Sequence, residues 1–284
     1  MASLIAKAKA LEEEGITTYC YTGSYEIPVK TITESIKGDI MLIDKIIGVG
    51  ELALADNRSS QPTYEQFVNT VAQARVGGLL SGKAGVVNIH LGSGVQNLQY
   101  LFKIIEETEI PATQLLPTHI NRGDKLFKIG IDYVKKGGFI DLTTSSDPEH
   151  LEPGELMASE ALAKIVEEGI DIDHITFTSD GNGSMPIFDD SGKLSGVGIC
   201  EVSTLYNSVR ESVKKYNIPL EKAIKVITSN VAELLKLDNK GKIEKNKDAD
   251  LVIIDEKTLE IDTVIAKGKV VVKEGKCIVK GTFE

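Results

Sequence analysis

Two imidazoles and two carboxylates stand where short apolar runs of this sequence come to a stop. His90 lies near the end of Val86 to Leu91, His119 near the end of Leu115 to Ile120, Glu51 within Ile46 to Ala55, and Asp180 directly after Ile175 to Ser179. Tyr25 follows a fifth run, Ile16 to Tyr21. Imidazole and carboxylate donors suit zinc or a similar first-row divalent ion, which turns water into a hydrolytic nucleophile at neutral pH. Each residue also has an ordinary reading. A histidine after an apolar run is more often a hydrogen-bonded structural residue. Asp180, within Asp180-Gly181-Asn182-Gly183, could simply cap a tight turn, and Glu51, within Gly50-Glu51-Leu52-Ala53, could pair with a neighbouring lysine or arginine. Joint placement favours chemistry: two of only four histidines end successive runs at equivalent positions. A buried carboxylate is also costly without a cation beside it. His150, in a proline-containing loop, and His174, ahead of an apolar run, read as surface residues.

Positioning such residues falls to repeated βα units. The β-branched runs, with Phe139 to Thr144 as the sixth, alternate with longer stretches of helical period, and their near-continuous apolarity means strands covered on both faces. Thr63 and Gln66 predict a capping box, after which Phe67, Val71 and Ala74 share one helix face. Ala158, Leu162, Ile165 and Val166 repeat that spacing, with Gly169 as the C-terminal stop. Leu220, Ala223, Ile224, Ile227, Val231 and Leu234 predict one long helix with a continuous apolar stripe. The expected fold is α/β, a partial TIM-type (β/α)8 barrel over residues 1–237 whose strand ends converge on one face. Over residues 238–284, short strands at Asp250 to Asp255, Thr263 to Ala266, Val270 to Lys273 and Lys276 to Val279 predict part of a small β-sandwich domain.

At 284 residues with 42% hydrophobic content, the chain can bury a full core. Its net charge of -10 repels phosphate backbones and anionic lipid, so a small-molecule substrate is expected, with no nucleic acid and no membrane as partner. Cys20, Cys200 and Cys277 have neither metal-ligand nor redox spacing, and an odd number argues against a disulfide framework. A cytoplasmic location is expected.

Several longer strings resemble the isoaspartyl (β-aspartyl) dipeptidases of the amidohydrolase superfamily. They are Thr22-Gly23-Ser24-Tyr25, Asp56-Asn57-Arg58-Ser59, Val76-Gly77-Gly78-Leu79-Leu80-Ser81-Gly82-Lys83, Leu116-Pro117-Thr118-His119-Ile120-Asn121-Arg122, Ser179-Asp180-Gly181-Asn182-Gly183-Ser184 and Lys280-Gly281-Thr282-Phe283-Glu284. The resemblance implies hydrolysis of the β-aspartyl peptide bond in dipeptides by metal-bound hydroxide, at a binuclear zinc centre. His90, His119 and Asp180 match metal ligands, and Asp180 also matches the residue that carries a proton to the leaving amine. Tyr25 matches the tyrosine that polarises the scissile carbonyl, while Arg58, Arg122 and Ser184 match positions that hold the substrate's carboxylates. Other copies of the chain, in a homo-oligomer, are the expected protein partner.

Two departures stand out. The bridging group is commonly a carbamylated lysine, whereas Glu51 occupies the position counted back from Asp56-Asn57-Arg58-Ser59, and counting forward from Tyr25 gives Gly50 instead. One extra residue therefore separates the two motifs, which predicts a bulge at Gly50 that carries the shorter glutamate arm toward the metals. The family's His-x-His pair is absent as well, and only six of eight units are readable, so the expectation is a fragment of a longer protein. The alternatives are a cyclic-amide amidohydrolase of the dihydroorotase or hydantoinase kind, or a catalytically incompetent metal-binding or assembly module.

Overall fold

Six parallel strands form the wall that carries the candidate residues. In this computed structural model, which describes residues 1–189 and 193–282, α1 (Ala2–Glu13) precedes β1 (Cys20–Thr22), α2 (Ile36–Leu42) and β2 (Ile46–Leu54). Next come α3 (Tyr64–Ser81), β3 (Val86–Leu91), α4 (Gln99–Glu107), β4 (Leu115–Thr118), α5 (Asp124–Lys135) and β5 (Ile140–Thr143). α6 (Ala158–Glu167) and β6 (Ile175–Thr178) complete the series. β1 to β4 pair in order in one parallel sheet, and β5 pairs with β6 in a second.

Side chains stitch the seam between those sheets. Asn121 Nδ2 donates to the Thr143 and Leu156 carbonyls at 3.0 and 2.7 Å, and its Oδ1 accepts from Thr143 N at 2.8 Å. The Asp141 carboxylate accepts from the hydroxyls of Thr118 and Thr176, each at 2.7 Å. β4 and β5 are buried along their whole length, and in β2 every residue is buried except half-exposed Glu51. That pattern is the one expected of strands packed on both faces.

Helix boundaries follow local chemistry. Thr63 and Gln66 form the capping box, with Thr63 N donating to Gln66 Oε1 at 2.9 Å. Phe67, Val71 and Ala74 of α3 are fully buried against the sheet. Gly169 takes a φ of +70° just past α6, a left-handed conformation that costs glycine little.

The expected long helix is instead three pieces: α8 (Leu220–Ala223), a 3-10 turn (Ile224–Ile227) and α9 (Ser229–Leu234), preceded by α7 (Thr204–Lys214). The break falls at Thr228, because buried Asn230 donates to the Ile172 and Ile175 carbonyls at 2.7 and 2.8 Å and ties α9 to the foot of β6. An antiparallel hairpin, β7 (Ser184–Phe188) and β8 (Leu194–Ile199), follows β6 where no strand was expected. The first strand also starts later than Ile16 to Tyr21, since Ile16 and Tyr19 are exposed. His174 is half-buried and stacked on Phe139 at 4.4 Å, so it is not a free surface residue, whereas His150 is exposed and pairs with Asp147.

Beyond Asp238 lies a β-sandwich-like antiparallel sheet of β9 (Leu251–Ile254), β10 (Ile261–Ala266), β11 (Lys269–Lys273) and β12 (Lys276–Cys277). Tyr206 and Lys214 of α7 donate to the Leu259 and Thr258 carbonyls, which joins this sheet to the α/β part. Phe283 and Glu284, the end of the C-terminal motif, lie outside the described residues. Among the described residues no helix is long and apolar enough to cross a membrane.

Candidate metal centre

The backbone gathers the site at the C-terminal ends of β1 to β6. Glu51 owes its position to an irregularity in β2: Val49 pairs with Val87 and Leu52 with Ile89, so three steps on one strand meet two on the other. That extra residue is the bulge expected at Gly50. A Cβ at Gly50 would stand 2.8 Å from the Asn88 carbonyl oxygen and 2.9 Å from Asn88 Cβ, so only glycine fits against β3 there. His90 is the penultimate residue of β3, and His119 follows β4 with a φ of +65°. Tyr25 is held over the site because its carbonyl accepts from Ala53 N at 3.2 Å.

Glu51, His90 and His119 present donor atoms that all lie within 4.8 Å of one another. Glu51 Oε1 is 3.1 Å from His90 Nδ1 and 3.1 Å from His119 Nε2, and both rings are buried. Burial alone would raise the Glu51 carboxyl, but hydrogen bonds and charge from His119 and His90 hold it down at about 2. Burial is likewise the main influence depressing the His119 imidazolium, partly offset by its hydrogen bond with Glu51. The second nitrogen of His119 is 2.6 Å from the Thr143 hydroxyl, which fixes the ring with Nε2 toward Glu51. One anionic oxygen donor, two imidazoles and an orienting partner on one of the rings fit a first-row divalent ion.

The remaining predicted residues surround this cluster. The Tyr25 hydroxyl is 3.1 Å from His90 Nδ1, and the two rings are 4.7 Å apart. Its phenol is raised by burial and by the Glu51 charge, so it stays a proton donor at neutral pH. The Arg58 guanidinium lies 5.3 Å from the Tyr25 ring centroid. Asp180 is not part of the close cluster; its Oδ2 accepts from Arg122 Nη2 at 3.4 Å. Asp180 does share with Glu51 and His119 a cavity of about 230 Å³, also lined by Tyr21, Thr118, Asp141 and Thr176. Ser184 is exposed at the start of β7, paired with Ile199 across the hairpin.

Three participants had no role in the sequence reading. Thr143 orients His119, Asp141 is a buried acid in the cavity wall, and Asp56 binds both Arg58 and His90. Only Asp56 left a local trace, because an aspartate two residues before an arginine can close a turn on that residue's N–H. The Arg58 N–H does donate to Asp56 Oδ1, at 2.7 Å.

Comparison with known proteins places this geometry. The sequence profile of the amidohydrolase family matches residues 157–271. A β-aspartyl dipeptidase from Fervidobacterium islandicum AW-1, solved with the dipeptide β-Asp-Leu, is 46% identical with a TM-score of 0.91, over 100% of this chain and 73% of that one. A second structure of the enzyme gives 45%, 0.88 and 71% of its length. D-hydantoinase, at 14% identity and a TM-score of 0.60 over 98% of this chain and 75% of its own, shares the fold alone. Among curated proteins, an N-acetylglucosamine-6-phosphate deacetylase from Lysinibacillus sphaericus is 37% identical over 76 residues, 27% of this chain and 19% of its own length.

Proposed function

Because this chain belongs to the β-aspartyl dipeptidase family of amidohydrolases, we propose that it hydrolyses the β-aspartyl peptide bond of dipeptides in a metal-dependent reaction. The observation that carries the proposal is the convergence of Glu51, His90 and His119 beside Tyr25 and Arg58, in a chain so similar to a dipeptidase throughout.

A divalent ion held by Glu51, His90 and His119 would supply Lewis-acid polarisation of the peptide carbonyl and acidify water at neutral pH. Zinc is the ion we propose, on the strength of the nitrogen and oxygen donors, with Asp180 as a further ligand and two ions per site. The protein's own groups do the rest. The Tyr25 O–H donates to the carbonyl oxygen as negative charge develops there. Asp180 Oδ2 takes a proton from the attacking water and returns it to the departing amine nitrogen. Arg58 and Arg122, with Ser184, bind the substrate's carboxylates, for which a planar guanidinium fork is suited.

A boundary near residues 237/238, a cytoplasmic location and a homo-oligomer belong to the same proposal. The change from parallel to antiparallel sheets supports the first, and three free cysteines the second. Leu42, Val76, Leu79 and Leu80, exposed on the adjoining helices α2 and α3, support the third.

Metal analysis combined with turnover of β-Asp-Leu and of dihydroorotate tests the activity. Hydrolysis of the dipeptide alone supports the proposal. Turnover of dihydroorotate alone would assign the chain to cyclic-amide hydrolysis, and bound metal with neither activity would reduce it to a metal-binding module.

A further inference from the structure

We infer that Asp56 is a positioning residue that sets the metal-binding tautomer of His90 and, in doing so, frees from the ring one N–H of Arg58. The inference rests on the reading of His90 as a ligand and Arg58 as a substrate group.

His90 Nε2, Asp56 Oδ2 and Arg58 Nη2 form a triangle. Arg58 Nη2 is 2.7 Å from the ring nitrogen and 2.9 Å from Asp56 Oδ2, and Asp56 Oδ2 is 3.1 Å from that nitrogen. Asp56 grips the arginine further, accepting at Oδ1 from Arg58 Nε at 3.0 Å and from its backbone N–H at 2.7 Å. The Asp56 side chain is only 8% exposed, whereas that of Arg58 is 56% exposed, so the carboxylate is the fixed partner and the guanidinium the one with room to move.

A neutral imidazole has one proton and two places for it. With the proton on Nδ1, the ring donates to Glu51 Oε1 at 3.1 Å and accepts at Nε2 from Arg58, which satisfies the short 2.7 Å contact. A ring in that state has no lone pair facing Glu51 and His119. Ligation through Nδ1 requires the proton on Nε2, where an arginine N–H would oppose it and a carboxylate accept it. Asp56 Oδ2 is the acceptor in place. The same exchange removes the arginine's reason to stay against the ring. The Nη2 hydrogen that faced the ring then becomes available to a substrate carboxylate, while Nε and the other Nη2 hydrogen stay on Asp56.

The test uses zinc and the full chain, wild type beside Asp56→Ala and Asp56→Asn. Zinc affinity is read by competition with a chelator, and the tautomer by long-range 1H–15N correlation of the imidazoles, of which there are only four. Zinc should move the His90 proton from Nδ1 to Nε2 in the wild type. Asp56→Ala should lower zinc affinity roughly 10- to 100-fold, the usual effect of losing such an orienting partner. Asp56→Asn, whose amide oxygen can still accept, should fall between, and it decides the matter if circular dichroism shows the alanine variant unfolded. Wild-type zinc affinity in the folded variants, or a zinc-loaded wild type that keeps its proton on Nδ1, overturns the inference. Loss of β-Asp-Leu turnover in a wild type whose tautomer still responds to zinc would sink the dipeptidase reading and leave Asp56's role standing. A wild type that binds no zinc overturns both.

Discussion

Glu51 Oε1 and His119 Nε2 stand 3.1 Å apart although 68 residues separate them in the chain. Two features produce the contact: the bulge after Val49, which turns Glu51 inward, and the left-handed turn at His119, which aims the ring back across β3. Glu51→Gln replaces the anionic donor by a neutral amide. Metal stoichiometry measured after dialysis should fall below that of the wild type, and β-Asp-Leu turnover should fall with it. Full metal retention by the variant would remove Glu51 from the ligand set.

Gly50→Ala tests the bulge itself. The new methyl would sit 2.8 Å from the Asn88 carbonyl oxygen, inside any ordinary contact. Such overpacking costs about 1–3 kcal/mol, readable as a lowered urea midpoint. Because the strand must move to relieve it, metal affinity should drop as well. Unchanged stability would show that β2 does not depend on this close approach.

Asp141 gives the pH dependence a sign. Burial pushes its carboxyl up to about 7, against the hydrogen bonds from Thr176 and Thr118 that favour its charge. Across roughly pH 4 to 7 the folded chain therefore holds a proton that the unfolded chain has released, so this group's contribution to stability falls as pH rises and levels off above about 7. Asp141→Asn has no such proton to lose. In metal-free protein its advantage over the wild type should grow across that window to a few kcal/mol, on the order expected for a fully buried carboxylate. Urea unfolding at several pH values measures it, and two parallel stability curves would contradict the buried-acid account.

Much of this arrangement is legible in the sequence. His90 and His119 were legible because a strand covered on both faces makes its last polar residue conspicuous, and α3 because Thr63 and Gln66 are a purely local signal. Glu51 was legible through the one-residue mismatch between flanking motifs. The long helix failed because an apolar stripe reports which face is buried and not whether the axis is continuous. Asn230 breaks that axis through hydrogen bonds to residues more than fifty positions away. The β7–β8 hairpin escapes notice for a local reason: Pro186, Gly196 and Gly198 interrupt the pattern of a strand, and they are tolerated on a two-stranded ribbon. Asp141 was hidden because an acid inside an apolar strand looks like an error of pattern until the Thr118 and Thr176 hydroxyls are seen on either side of it.

Tyr25 and Asp180 should separate in kinetics. The Tyr25 hydroxyl already sits 3.1 Å from His90, so Tyr25→Phe removes a donor and keeps the tilted contact of the two rings. Loss of one oxyanion donor lowers kcat by about 10²- to 10³-fold. Asp180→Asn removes a proton carrier, which is worth about 10²- to 10⁴-fold. It also weakens the hold on Arg122 Nη2, 3.4 Å away, so KM for β-Asp-Leu should change with kcat in this variant and stay nearly constant in Tyr25→Phe. Steady-state kinetics on the two variants, with circular dichroism to confirm folding, checks both expectations. Near-normal kcat in Asp180→Asn would remove that residue from the proton path, and a rise in KM alone in Tyr25→Phe would make the phenol a binding group and not an electrophile.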